Sequence, residues 1–316
     1  TSGYSGDIAM VTHDLTTTGD MTFDGTGTFN CGTGNLDCSG HFDNKDQDTW
    51  TRGGSTVIMR GSGKNIIATS ANILKNLIIS NNTTLDATTV TRLFSQSLTV
   101  DVGVTFTCNQ RVDMNDAVEI NGIVSLPLGD MFFIENGTLS VAGTLTSTGL
   151  LKISGTDVLV ASGTIASGSM TLSGDVTLAP GTYGNSSTAV SCEQNNASVD
   201  KTLTFDSGPF IFPGDVTFDC DKAGRTYEID LTNDPDIEFQ GDVTLQETGT
   251  LVWSKGTGTI KFGDTTTYTD STAAIQNLGN VDADCFFLTL ATEMECDDFT
   301  LTSGILDISG QTLDAS

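Results

Sequence analysis

MTLSGDVTL (Met170–Leu178), FIFPGDVTF (Phe210–Phe218) and IEFQGDVTL (Ile237–Leu245) repeat one pattern, apolar-x-apolar-x-Gly-Asp-Val-Thr-apolar, and GDMTF (Gly19–Phe23) echoes it. The parity of this pattern decides the fold. If Gly174-Asp175 formed a two-residue hairpin loop, Ser173 would oppose Val176 and Leu172 would oppose Thr177. Directly opposed residues share a face, so each face would mix apolar with polar side chains. The same mismatch arises at Phe212/Thr217 and Phe239/Thr244. A three-residue loop, x-Gly-Asp, restores the pairing of Leu172 with Val176, but that loop type prefers Gly where this chain has Asp. The remaining arrangement is a corner, at which the chain bends and runs on as a new strand. Leu172, Val176, Phe212, Val216, Phe239 and Val243 then all point into one core.

Composition agrees with a strand-built chain. The 316 residues include 35 Gly, and the 40 acidic residues are mostly Asp. Asp, like Gly, Asn and Ser, suits turns, while the abundant Thr and Val suit strands. The formal net charge of −27, with only 13 Lys and Arg, opposes binding to nucleic acid or to anionic membrane surfaces. No run approaches the ~20 apolar residues that span a bilayer, so no membrane insertion is expected. The first residues, TSGYSGDIAM, carry no signal-peptide pattern, and the strand rhythm is still running at Ser316.

Short apolar segments separated by turn residues extend along the whole chain. SLTVDVGVTFTC alternates Leu98, Val100, Val102, Val104 and Phe106, and GTLSVAGTLTSTG supplies Leu139, Val141 and Leu145. Ser70–Ile79 reads as a short helix or as a loop leading into the strand NLIIS. WTRGGSTVIM from Trp50 and WSKGTGTIKF from Trp253 match in several positions. Each is followed by an Asn-Leu pair, which suggests duplicated segments at 50–106 and 253–308. Repeats without a fixed period suit a parallel β-helix, or β-solenoid, with irregular rungs and a core that needs few large aromatics. An array of β-sandwich domains is the alternative. One elongated solenoid over 1–316 is expected, with a polar stretch at 178–201 as a protruding loop or module junction.

KNLIISNNTTLDATTV (75–90), GTIKFGDTTTYTDSTAAIQNLGNV (258–281) and LTSGILDISGQTLDAS (301–316) resemble the Gly/Thr/Asn-rich parallel β-helix repeats of microbial cell-surface proteins, extracellular fibres and phage tail appendages. The resemblance implies an elongated, multimeric protein located outside the cell or on a virion, and it transfers no catalytic residue.

Few residues carry a chemical signal. Polysaccharide-cleaving β-helices need carboxylates clustered with a basic residue or a metal, whereas Lys152, Lys201, Lys222, Arg225, Lys255 and Lys261 are scattered. Asp297-Asp298 is a carboxylate pair without a sequence neighbour to tune it. His13 and His41, with Asp14 or Asp43, make a weak metal set. Calcium is the better ligand hypothesis. HFDNKDQDTW gathers Asp43, Asn44, Asp46 and Asp48, and LTNDPDIEF gathers Asn233, Asp234 and Asp236, as oxygen donors of the kind calcium takes. Both depart from the EF-hand pattern, and a solvated acidic loop is the competing reading. The seven cysteines read either as small core residues or as partners in disulfides, Cys31–Cys38 and Cys285–Cys296 being nearest in sequence. Sequons at Asn81, Asn82, Asn136, Asn185 and Asn196 matter only in a source that glycosylates.

The function expected on these grounds is structural or adhesive rather than enzymatic: a segment of an extracellular filament, cell-surface protein or virion fibre. Its partners would be further copies of itself, as homo-oligomer or filament neighbours, and surface glycans. No cofactor is required, and calcium is the one candidate. The rival reading is a carbohydrate-binding or polysaccharide-cleaving β-helix.

Overall fold

A computed structural model describes residues 7–51, 53–67, 74–85, 92–95, 97–109, 111–114, 116–127, 132–135 and 137–315. The chain divides into two compact units, 1–150 and 151–316. Within each, strands stack in register, and the strand pairings are parallel. Parallel pairing among the described residues excludes the hairpin reading of Gly-Asp and the sandwich array, both of which are antiparallel. The fold is an all-β parallel β-solenoid. Among the described residues no helix is long and apolar enough to cross a membrane.

The first unit is regular. Leu36, Val57, Leu77, Leu98, Val118 and Leu139 lie over one another on successive rungs. They therefore recur every 20 or 21 residues, a fixed period that the shorter echoes in the sequence conceal. Two residues along each strand a second column runs Cys38, Met59, Ile79, Val100, Ile120 and Val141, and both columns are 0–2% exposed. Burying each such side chain contributes about 1.5–3 kcal/mol. The alternation expected through Val102 breaks there. Asp101–Gly103 is a corner between Ser97–Val100 and Thr105–Cys108, and it turns Val102 out to 81% exposure. Asn76–Ile79 is the strand expected of NLIIS, whereas 70–73 lie outside the described residues.

Rungs of the second unit are longer and less even. Val190 lies under Val216 and Val216 under Val243, at intervals of 26 and 27 residues, while Leu288 and Leu306 are only 18 apart. A longer rung encloses a wider cross-section, and bulkier side chains fill it to normal packing density. Tyr183, Phe212, Phe239 and Phe262 form a column whose ring centroids are 5.6, 5.6 and 6.2 Å apart. Trp253 meets Phe218 edge-on at 5.4 Å. Among the described residues the aromatics are most numerous in the wide rungs, while Phe23, Phe29 and Phe42 also cluster in the narrow ones, with centroids 4.3 and 5.8 Å apart. Ala189–Glu193, inside the stretch read as a protruding loop, is a rung strand paired on both sides, and only Asn195–Asp200 stand exposed beyond it.

The two tryptophan segments share a strand–turn–strand course, with Thr56 and Thr259 each opening a strand. Asn76 lies in register with Thr56, whereas Asn280, not Asn277, lies in register with Thr259. The side chain of Trp50 lies outside the described set.

All seven cysteines are buried free thiols, so neither Cys31–Cys38 nor Cys285–Cys296 is a disulfide. Burial pushes the Cys31 and Cys296 thiols up to about 11, as befits small core residues that stay protonated.

Candidate functional site

The Gly-Asp corners organise the polar chemistry of the molecule. In Ser169–Leu178, residues 169–173 pair with 189–193, while 176–178 pair with 203–205, two different strands of the next rung. The bend falls at Gly174, whose φ of 116° only glycine adopts readily. The third copy of the motif sits directly on the second, with Phe212 facing Phe239 and Val216 facing Val243. At that level Gly241 lies over Gly214, and a Cβ on Gly241 would come within 2.5 Å of the Gly214 carbonyl carbon.

The aspartate bonds to the next rung rather than closing its own turn. Asp175 Oδ1 accepts the Thr202 N–H at 3.0 Å. Asp215 Oδ1 accepts the Asp242 N–H at 2.9 Å, and Asp242 Oδ1 accepts the Thr267 N–H at 2.7 Å. Asp20, in the shorter echo, accepts the His41 N–H at 2.8 Å. Strand pairing is interrupted at a corner, so a backbone N–H there lacks its ladder carbonyl, and the carboxylate supplies the acceptor. Asp14, Asn82, Asp200 and Asp236 do the same for Asn35, Thr105, Thr226 and Thr259. Part of the acidic excess is thus a set of ties between rungs.

The calcium candidates fit this scheme in part. Asp43, Asn44, Asp46 and Asp48 lie in the strand Phe42–Thr51, whose register against Met21–Asn30 shifts between Asp43 and Asp46. Asp43 is half-buried and Asn44 fully buried, while the side chains of Asp46 and Asp48 lie outside the described set. In the second segment, Asp234 Oδ1 accepts the Thr257 N–H at 2.6 Å and Asp236 Oδ1 the Thr259 N–H at 2.9 Å. Asn233 turns its amide to the Phe205 carbonyl at 3.1 Å. His41 Nδ1 accepts the Asn65 N–H at 3.0 Å, which gives it the same tie role as the aspartates. Among the described residues no three or more His, Cys, Asp or Glu side chains converge as a metal site.

Isolated in sequence, Lys261 is well connected in space. Its Nζ lies 3.0 Å from Asp284 Oδ2 and 3.9 Å from Glu238 Oε2, beside a shallow groove lined by Pro209, Ile211, Asp236 and Thr259. Ser303 Oγ donates to Asp284 Oδ1 at 2.7 Å, and Gln240 Nε2 donates to Glu238 Oε1 at 2.7 Å. The hydrogen bond to Asp284 raises the Lys261 pKa, while Ser303 first and Lys261 second lower that of Asp284. Both shifts fix the charged forms. A general base lysine or a carboxylic acid donor would need the opposite shifts.

Asp297, of the carboxylate pair, bonds Lys255 Nζ and, at 3.1 Å, Asn277 Nδ2. The Lys255 hydrogen bond holds its carboxyl below the usual carboxylate range. These partners lie far off in sequence, and only the rung register reveals them.

Acid should act first on these contacts. Asp234 is lowered chiefly by the Thr257 backbone hydrogen bond, Asp284 by Ser303 and Asp297 by Lys255. A lowered native pKa adds stability above the unfolded value of 3.8, and that stability is lost as pH falls through the native values. The melting temperature of the chain should therefore fall below about pH 4. Asp234→Asn keeps an acceptor oxygen and tolerates the φ of 57° at that position, so it should flatten the acid slope. An unchanged slope in this variant would remove Asp234 from the account.

Comparison of the chain with protein-family models, with curated proteins and with solved structures finds no match.

Proposed function

We propose that this chain is a structural or adhesive β-solenoid segment of an extracellular filament, a cell-surface protein or a virion fibre. The observation that carries this reading is the tie at each Gly-Asp corner, where Asp20, Asp175, Asp215 and Asp242 bind the backbone of the next rung. Polar groups in those positions hold a stack together, and a stack held both in its core and at its corners resists being pulled apart. The carboxylate excess also keeps a strand-rich chain from edge-to-edge aggregation.

Neighbouring copies are the partners this reading favours. On Asp298–Asp307, Leu301 and Ile305 are 45% and 55% exposed, and Leu301 continues the core column of Ala283. A further parallel strand would cover them, whether it belongs to the same polypeptide or to another copy. Light scattering and electron microscopy of the purified chain test this: elongated oligomers or filaments are the expected result, and a compact monomer at all concentrations overturns it.

The groove beside Lys261 favours a second reading, in which the chain binds or cleaves a carbohydrate. Incubation with polysaccharides, followed by assays for bound chain and for new reducing ends, separates the two. Release that Lys261→Met abolishes would establish the enzyme.

A further inference from the structure

One face of the first unit carries few side-chain ties between rungs. Thr84, Thr107, Ser125 and Thr146 lie in register on four successive rungs and point outward. Two residues earlier along the same strands, Thr105, Ile123 and Thr144 form a second file, also in register and outward-facing. Asn82 stands one rung before Thr105 and binds its N–H at 2.8 Å. These eight positions carry no charge, in a chain whose net charge is −27. The Thr146 hydroxyl reaches the Val124 carbonyl at 3.3 Å. Those of Thr84, Thr105, Thr107, Ser125 and Thr144 engage no partner among the described residues.

Parallel strand geometry spaces these hydroxyls about 4.8 Å apart up the stack and about 6.6 Å apart along each strand. Behind them Phe106, Val124 and Leu145 are 0–1% exposed and lock the strands in place. The result is a regular two-dimensional lattice of side chains, hydroxyl-bearing at every position but Asn82 and Ile123.

From this lattice we infer that the face adsorbs to ice. A solid surface of water presents oxygens at fixed, repeating positions, and a fixed lattice of hydroxyls meets many of them at once without losing further conformational freedom. Charged side chains would keep tightly held, differently oriented hydration, and none occupies these eight positions. The methyl of each Thr, with the 42% exposed Ile123, supplies an apolar floor between the hydroxyls. A second copy is a poorer occupant. Four rungs by two files cover on the order of 200 Å², well below the ~800 Å² per partner of a stable interface. A polysaccharide is a poorer occupant too, because no aromatic ring lies among the eight positions to stack on a sugar.

The second unit supplies an internal control. Thr171, Ser191, Thr217, Thr244 and Thr269 form a single hydroxyl file of the same spacing. Carboxylates flank it, at Asp215 and Asp242 on one side and at Glu193 and Asp219 on the other. The inference predicts that this file does not bind ice, and it holds whether or not the chain belongs to a filament.

The test is to grow polycrystalline ice slowly in a solution of the full chain, measure the fraction of protein taken into the ice, and follow recrystallisation of frozen droplets. The wild-type chain should concentrate in the ice and slow recrystallisation. Thr107→Lys and, on another rung, Thr144→Lys place a cation in the lattice at outward positions. Both should lose ice uptake while keeping the wild-type circular-dichroism spectrum and melt, whereas Thr217→Lys should retain uptake. Exclusion of the wild-type chain from ice overturns the inference, as does full uptake by a folded Thr107→Lys or Thr144→Lys variant. Binding to insoluble cellulose or chitin without ice uptake would reassign the face to a glycan.

Discussion

Replacing Phe239 with Ala is expected to lower the stability of the second unit by about 3–5 kcal/mol. Phe239 is 1% exposed and sits between Phe212 and Phe262, with centroids 5.6 and 6.2 Å away. Truncation opens a gap on both of its rung interfaces at once. Solenoid stability is close to a sum of neighbouring-rung terms, so losing two adjacent terms uncouples the rungs on either side. The damage should be local before it is global. In native-state hydrogen exchange, amides of Pro209–Phe212, Asp236–Phe239 and Thr259–Ser271 should lose protection first, while those of the first unit stay protected. Phe239→Leu leaves a smaller void and should cost less than half as much. A Phe239→Ala chain that unfolds at the wild-type urea concentration would show that the aromatic column is not a principal support of the stack.

The corner was legible because parity is a local property. Apolar positions on both sides of Gly-Asp could be placed on one face only by bending the chain, and Leu172, Val176, Phe212 and Val216 are all buried as that argument requires. What the aspartates do was less legible, since the Thr202 N–H that Asp175 accepts lies 27 residues away. That distance changes from rung to rung, being 21 at Asp20 and 25 at Asp242. The Lys261–Asp284 pair was hidden for the same reason. Sequence neighbours of Lys261 carry no signal, and its partners become adjacent only when Glu238, Lys261 and Asp282 fall into one column. In the first unit the near-constant rung of 20 or 21 residues was available to a search for spaced apolar pairs. The Gly-Asp echoes lie mostly in the less regular unit. Val102 shows the limit of alternation as a guide, because a corner residue can keep the rhythm of the strand and still face solvent.

The second large effect is expected at Asp270. This carboxylate is 2% exposed, and its oxygens accept from the loop that follows it and, at 3.4 Å, from the Tyr268 hydroxyl on its own strand. Oδ1 accepts the Thr272 N–H at 2.9 Å and its hydroxyl at 2.5 Å, and Oδ2 accepts the Gln276 N–H at 2.8 Å. Gln276 in turn accepts the Trp253 N–H at 3.0 Å, so the loop after Thr259–Ser271 is tied back to Thr250–Ser254. Asp270→Ala orphans both backbone donors, at about 1–3 kcal/mol each where they cannot reach water. Asp270→Asn is the sharper probe, because it keeps the shape of the side chain. Its amide retains one acceptor oxygen and turns an NH2 group toward the other N–H, so it should lose about 1–3 kcal/mol. For a unit of this size that corresponds to a melting shift of about 2–4 °C per kcal/mol. These bonds are buried and partly to backbone, so the loss should be nearly independent of salt. The exposed Lys255–Asp297 pair should weaken as salt rises. Thermal melts of both variants at low and high salt decide the matter: an Asp270→Asn chain as stable as wild type would mean that the loop holds its course without the carboxylate.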